Sequence, residues 1–363
     1  MKKRFKRMIA LIISSTIILA GCGIDKGNEE NSFYLVPNAV LATTASTQVA
    51  SANANFALTT LTAKKTSNKT SSSTEITEMD EFEELEDIQC LDDYIIKAID
   101  VKTEVKALPK TILDEISYQK KKYPGMSVAV GIYSLDGAQG YEYNAEAVIS
   151  GGCTVKAPYA LYVLQECEKQ GIDITTETLT YKKGMRNSGS GIIKNSNYGT
   201  KYTIEYLLEK LLDISDNTAY NILVSKFPLK QYQEFLNEIG GQNLYGRQYG
   251  AASVRQRRNE WLTIYEYLNS DAKYANTLRK DITNTKYCYI TDWMKGEHTY
   301  MHKSGWCNDK EYTCACDCAI IDENYLLIVF TQDYTTGVAH TDTVRSIGVR
   351  VEEFANSLGG KIF

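Results

Sequence analysis

Strand-like segments lie at both ends of the region Leu108–Phe363, and helix-like segments fill the middle. Strands need partners, so this order predicts one antiparallel sheet built from both ends, with a helical insert: an α+β fold. Leu108–Tyr123 reads as a helix, because Ile112, Leu113 and Ile116 share a face and Pro109 sits in the first turn. Pro124-Gly125 ends it. Met126–Ser134 and Gln139–Asn144 read as paired strands across Leu135-Asp136-Gly137. Lys156–Gln170 reads as an apolar helix stopped by Gly171, and Thr203–Leu212, Thr218–Phe227 and Trp261–Leu268 as further helices. Thr299–Cys307, Tyr312–Ile321 and Tyr325–Gln332 read as strands, and Thr343–Leu358 as a closing helix.

The N-terminal part is different in kind. Five of the first seven residues are basic, and Met8–Ala20 is an apolar run of signal-peptide length. It is too short for a spanning helix, which needs about 18 apolar residues. It ends in Leu19-Ala20-Gly21-Cys22, which resembles the bacterial lipoprotein lipobox. That resemblance implies a signal peptide over residues 1–21 and lipidation of Cys22, whose two acyl chains suffice for stable anchoring. An ordinary secretory signal and an uncleaved anchor are the alternatives, and all three place the rest of the chain outside the cytoplasm. Residues 22–106 read as a stalk. Residues 42–75 are rich in Ser, Thr, Ala, Asn and Lys and are expected to be flexible. Glu75–Asp93 is acidic and reads as a solvated, self-repelling run or, less favoured, a short helix. Residues 107–363 form the expected folded domain.

Composition narrows the function. A hydrophobic fraction of 43% with 10% aromatic residues supports a core and excludes wholesale disorder. A net charge of −5 lacks the basic footprint of a nucleic-acid binder.

Three short segments carry the chemistry. Ser150-Gly-Gly-Cys153-Thr-Val-Lys156 opens the apolar helix, Ser215-Asp216-Asn217 lies between two helices, and Lys303-Ser304-Gly305 lies on a strand. Their order and context resemble the S-x-x-K, S-D-N and K-[TS]-G signatures of the class A β-lactamases and penicillin-binding proteins. The likeness runs from about residue 108 to 363. It implies the β-lactamase/transpeptidase-like fold and acyl transfer through a covalent acyl-enzyme, with no metal or organic cofactor. It also implies roles: Cys153 as nucleophile, with Lys156 one turn along taking or holding its proton. Ser215 would relay a proton between Lys156 and the leaving nitrogen, and Asn217 would hold a substrate amide. Lys303 and Ser304 would bind the substrate carboxylate. The backbone N–H groups of Cys153 and Trp306, the residue after Gly305, would form an oxyanion hole. Asp216 reads as structural.

Two departures qualify the match. The nucleophile position holds Cys153 rather than Ser, and Ser150 lies outside the motif register. A Cys thiolate beside a Lys at a helix start is a good nucleophile, so a thioester acyl-enzyme is one reading. An inert Cys in a binding protein is the other. Class A enzymes also place a water-activating Glu about 35 residues after S-D-N. That position is Gly250-Ala251-Ala252-Ser253, with no Glu; Glu260 and Glu266 follow and read as solvated helix-face acids. Deacylation is then expected to be slow.

Other residues have plainer readings. Cys90, Cys167, Cys288, Cys307, Cys314, Cys316 and Cys318 remain besides Cys22 and Cys153, an odd number that cannot pair fully. Cys314, Cys316 and Cys318 alternate on one strand face, and Cys307 and Cys314 flank a turn as cross-strand neighbours. Small buried residues, a disulfide or a metal cluster are open there, in that order. His298 and His302 precede the Lys303 strand and form no helical metal face. Arg255, Arg257 and Arg258 read as a solvated basic surface or, less favoured, a carboxylate-binding group.

The sequence thus points to a lipid-anchored, extracytoplasmic acyl-transfer hydrolase, monomeric, with a β-lactam or D-Ala-D-Ala-like cell-wall peptide as substrate. Its alternatives are a non-catalytic lipoprotein that binds such ligands, and a thiol hydrolase of another acyl substrate.

Overall fold

The computed structural model describes residues 103–244 and 248–363. The signal segment, Cys22, the stalk up to residue 102 and Cys90 lie outside the described residues. The chain enters through β1 (Glu104–Ala107), α1 (Lys110–Lys122), β2 (Met126–Ser134) and β3 (Gln139–Tyr143). The helical part follows: α2 (Lys156–Lys169), the small strands β4 (Thr178–Thr180) and β5 (Lys201–Thr203), α3 (Ile204–Asp213) and α4 (Asn217–Val224). It continues with α5 (Leu229–Glu238), α6 (Val254–Leu268) and α7 (Ala275–Thr283). The chain returns through β6 (Tyr300–Asn308), β7 (Thr313–Ile321), β8 (Tyr325–Asp333) and α8 (Thr341–Ser357).

Six strands form the main sheet in the order β1-β3-β2-β8-β7-β6. The β2–β8 ladder, with Val130 opposite Val329, joins the two ends of the domain as the strand pattern predicts. One pairing differs from the expected antiparallel sheet: β1 runs parallel to β3 at the edge. Its four residues are exposed and carry no alternating apolar signal, which is why the sequence reading begins the domain later.

Alternation along the central strands sorts side chains to two faces. Val128, Val130, Ile132, Leu327 and Val329 meet Ile112 and Ile116 of α1 and Ile347 and Val351 of α8. Ala129, Tyr133, Ile328, Phe330 and the three strand cysteines Cys314, Cys316 and Cys318 face the helical insert, where Trp261 and the apolar residues of α2 and α3 complete the larger core. The cysteines therefore share a face as expected.

The helical insert holds the main corrections. Helices α5 and α7 are absent from the sequence reading, and α6 begins at Val254 rather than Trp261. Ser253 and Gln256 form a capping box there, each side chain bonding the other's backbone N–H. The longer helix changes the fate of its charges. Arg257 and Glu260 are fully buried and paired with each other. Arg257 also donates to Gln242 Oε1 at 2.5 Å, and Glu260 accepts from Gln242 N at 2.7 Å. Arg258 is buried over the Tyr133 ring, and Arg255 is bound to Glu142 and Glu146. Arg257 and Arg258 are thus internal rather than solvated surface, while Arg255 stays partly exposed, and Glu260 is no solvated acid; Glu266 is exposed as read.

Candidate active site

The segment before α2 is pinned by the sheet. Ser150 N donates to Gln332 Oε1 at 2.8 Å, and Ile149 bridges to Ala252. Gly152–Val155 then forms a single 3-10 turn that runs into α2, so Cys153 sits on that turn and Lys156 begins the α-helix. In a 3-10 turn residues i and i+3 eclipse, which aligns Cys153 with Lys156. Gly152 has φ +50°, a conformation that glycine adopts without strain.

Lys156 is fully buried, and all three ammonium donors find oxygens. Its Nζ donates to Ser215 O at 2.6 Å, Ser215 Oγ at 3.1 Å and Asn217 Oδ1 at 2.5 Å. The Cys153 thiol points to the same Asn217 Oδ1 at 4.0 Å. Ser150 lies elsewhere: its hydroxyl accepts from Tyr312 and its carbonyl from Cys316 Sγ.

Ser215 reaches Lys156 because its backbone turns to φ +56° between α3 and α4. Asp216 makes that turn possible. One carboxylate oxygen caps α4 by accepting from Thr218 N and Ala219 N, and the other accepts from Ile192 N and Ile193 N. This confirms the structural reading of Asp216 and locks residues 187–193 against α4 as one wall.

Strand β6 supplies the opposite wall. A Cβ on Gly305 would lie 2.5 Å from Cys153 N, and one on Gly152 would lie 3.1 Å from Trp306 N. The backbone nitrogens expected to form the oxyanion hole are therefore brought to one seam between turn and strand. Lys303 is buried and donates to Ser304 O at 2.8 Å. The Ser304 hydroxyl donates to the Tyr287 carbonyl, so it must turn from that partner to meet a carboxylate. Trp306 is half-buried and packs with the α1–α8 side of the sheet.

The third wall is Tyr249, whose ring lies 5.9 Å from Lys156 Nζ. Behind it, burial pushes the Tyr220 phenol up, out of the range in which it would ionise at neutral pH. Glu260 is committed to Arg257 and Gln242 N, and burial holds its carboxyl above the usual range. It is not placed as a water-activating base.

One group of possible ligands escaped the sequence reading. Cys288, His302 and Asp317 lie within 4.8 Å of one another through their ligand atoms. No local spacing signals them, because they come from a loop and two strands. His298 is separate and bonds Asp322 and Glu352.

Comparison with known proteins agrees with this fold. Among solved structures, PBP-A is similar at 14% identity and TM-score 0.57, over 70% of this chain and 98% of that one. A PBP-A mutant solved as an acyl-enzyme with penicillin G is similar at 15% identity and TM-score 0.56, over 69% and 100%. A β-lactamase from Chitinophaga pinensis DSM 2588 is similar at 16% identity and TM-score 0.58, over 68% and 99%. At these identities the likeness speaks for the fold. No curated protein matches the sequence. The beta-lactamase enzyme family matches residues 108–354, most of the chain and every residue of the three motifs, and this protein belongs to it.

Proposed function

We propose that the protein transfers the acyl group of a β-lactam or a D-Ala-D-Ala-like cell-wall peptide to Cys153. The observation that carries this reading is the buried Lys156 ammonium, held between the Ser215 hydroxyl and the Asn217 oxygen that also receives the Cys153 thiol. The Cys153 sulfur attacks the substrate carbonyl carbon, the S–C bond forms, and the amide C–N bond breaks. The thiol proton passes through Lys156 and Ser215 to the leaving nitrogen. Developing charge on the carbonyl oxygen meets the Cys153 and Trp306 nitrogens. Asn217 holds the substrate amide. Lys303 and Ser304 take its carboxylate, Ser304 by turning from Tyr287, and Gly305 lets the strand lie directly against the Cys153 turn. Water then cleaves the thioester slowly, because no carboxylate stands at Gly250–Ser253.

The basic start, the apolar run and Leu19-Ala20-Gly21-Cys22 support anchoring by lipid on the outer face of a bacterial membrane, within reach of both substrate classes.

A second reading rests on Cys153 itself: a thiol in place of the family's hydroxyl fits a module that binds the same ligands without turnover. Intact-mass spectrometry of the reduced full-length protein with excess penicillin separates the two. A stoichiometric adduct on the parent that is absent from Cys153→Ala supports acyl transfer. No adduct on the parent, with one on Cys153→Ser, moves the assignment to the binding module.

A further inference from the structure

We infer that Cys288, His302 and Asp317 form a divalent-metal site, with zinc the ion their donors favour. The site is separate from the Cys153 centre and does not rest on the function proposed above. His302 and Asp317 stand on the same face of adjoining strands, since Ser304, two residues from His302, is the register partner of Asp317. Cys288 reaches them from the segment between α7 and β6.

Two observations call for a cation. Asp317 is fully buried, and among the described residues no Lys or Arg pairs with it; its oxygens accept from the backbone N–H groups of Tyr289, Ile290 and Cys318, besides a long thiol contact from Cys288, and the His302 ring 3.5 Å away is a counter-charge only when protonated. A buried carboxylate without a counter-charge is costly. His302 is fully buried too, and its Nδ1 has no hydrogen-bond partner. Its other nitrogen, Nε2, is bonded to Thr285 Oγ1. With Nε2 donating to Thr285, Nδ1 presents a lone pair towards Asp317.

The spacing suits tetrahedral coordination. His302 Nδ1 lies 3.5 Å from Asp317 Oδ1, and Cys288 Sγ lies 3.8 Å from Asp317 Oδ2. Zinc bonds of about 2.0–2.3 Å give ligand–ligand edges of roughly 3.3–3.6 Å; the two contacts use different carboxylate oxygens and the three ligand atoms lie within 4.8 Å, so the side chains draw together on binding. Each ligand also has an outer partner of the kind that orients metal ligands: Thr285 on His302, the backbone N–H groups on Asp317, and Thr291 Oγ1 at 2.8 Å from Cys288 Sγ. A thiolate, a neutral imidazole and a carboxylate neutralise a divalent ion, and this mixed set suits zinc over magnesium or calcium. On binding, the Cys288 thiol releases one proton to solvent as the S–metal bond forms. The ion would tie residues 284–299 to β6 directly behind Lys303-Ser304-Gly305.

The test uses the full-length protein, freed of metal with a chelator and titrated with cobalt(II) and with zinc. One equivalent of cobalt is expected to bind, with a thiolate-to-cobalt charge-transfer band and the d–d bands of four-coordinate cobalt. Those bands should vanish in Cys288→Ser and in His302→Gln, and persist in Cys153→Ser and Cys314→Ser. Zinc should raise the thermal midpoint of the parent, a measurement that stands even where a ligand variant folds poorly. Absence of a thiolate band overturns the site. So does a band lost with Cys153→Ser but kept in Cys288→Ser, or an unchanged parent midpoint with zinc.

Discussion

Gly305 shows how little room the site leaves for change. A side chain there would meet Cys153 N and Gly151 O, both at 2.5 Å and both backbone. Neither atom can yield without moving the nucleophile turn. Gly305→Ala is expected to lose about 1–3 kcal/mol in urea unfolding and to form no penicillin adduct by intact mass. Lys156 sits at the other extreme, fully bonded rather than crowded. Lys156→Met removes the group that holds the thiol proton, and acylation should slow by about 10²–10⁴-fold in adduct time courses. Asp281 carries a pH dependence. Burial pushes its carboxyl from an ordinary 3.8 up to about 7. Between those values the unfolded chain has lost the proton and the folded protein keeps it, so stability falls as pH rises through the window and is flat above it. The loss is at most about 4 kcal/mol. Asp281→Asn should raise the thermal midpoint at pH 8, leave it nearly unchanged at pH 4, and flatten the slope between them.

At the scale of elements, α4 and the 187–193 segment hang on one carboxylate. Asp216→Ala removes a helix cap and leaves two more N–H groups, that of Ile192 and the buried one of Ile193, without their acceptor. A cost of about 2–4 kcal/mol is expected in denaturant titration. On the neighbouring hairpin, Cys307 and Cys314 are register partners with sulfurs 3.1 Å apart. Mild oxidation should link this pair, shown by a cross-linked peptide in unreduced digests that Cys314→Ser abolishes. Periodicity and stop signals exposed the long strands and α1, α2, α3 and α8. They were not followed at α5 and α7, although Leu229, Tyr232 and Leu236 in LKQYQEFLNE and Ala275, Leu278 and Ile282 in ANTLRKDIT each make a narrow apolar stripe among polar residues. Charge misled at Arg257 and Glu260, because formal charge signals solvent while mutual pairing permits burial. The three motifs were legible since each is local in sequence. The Ser304–Tyr287 contact and the Cys288–His302–Asp317 group were not, since only the fold brings those residues together.

In the whole molecule, β1 covers the free edge of β3 and is the first described element. A chain starting at residue 108 uncovers that edge, and open edges pair with other chains. Size-exclusion chromatography should show self-association that a chain starting at residue 103 lacks. The β2–β8 ladder has a different consequence, for synthesis rather than stability. β2 and the nucleophile turn emerge from the ribosome early, but the strand that pairs with β2 and the strand that walls the turn are made last. Such long-range pairing makes folding slow. A chain still on the ribosome therefore has its central ladder unformed. Closure of the Cys153 turn against its wall therefore waits until β6 has been made.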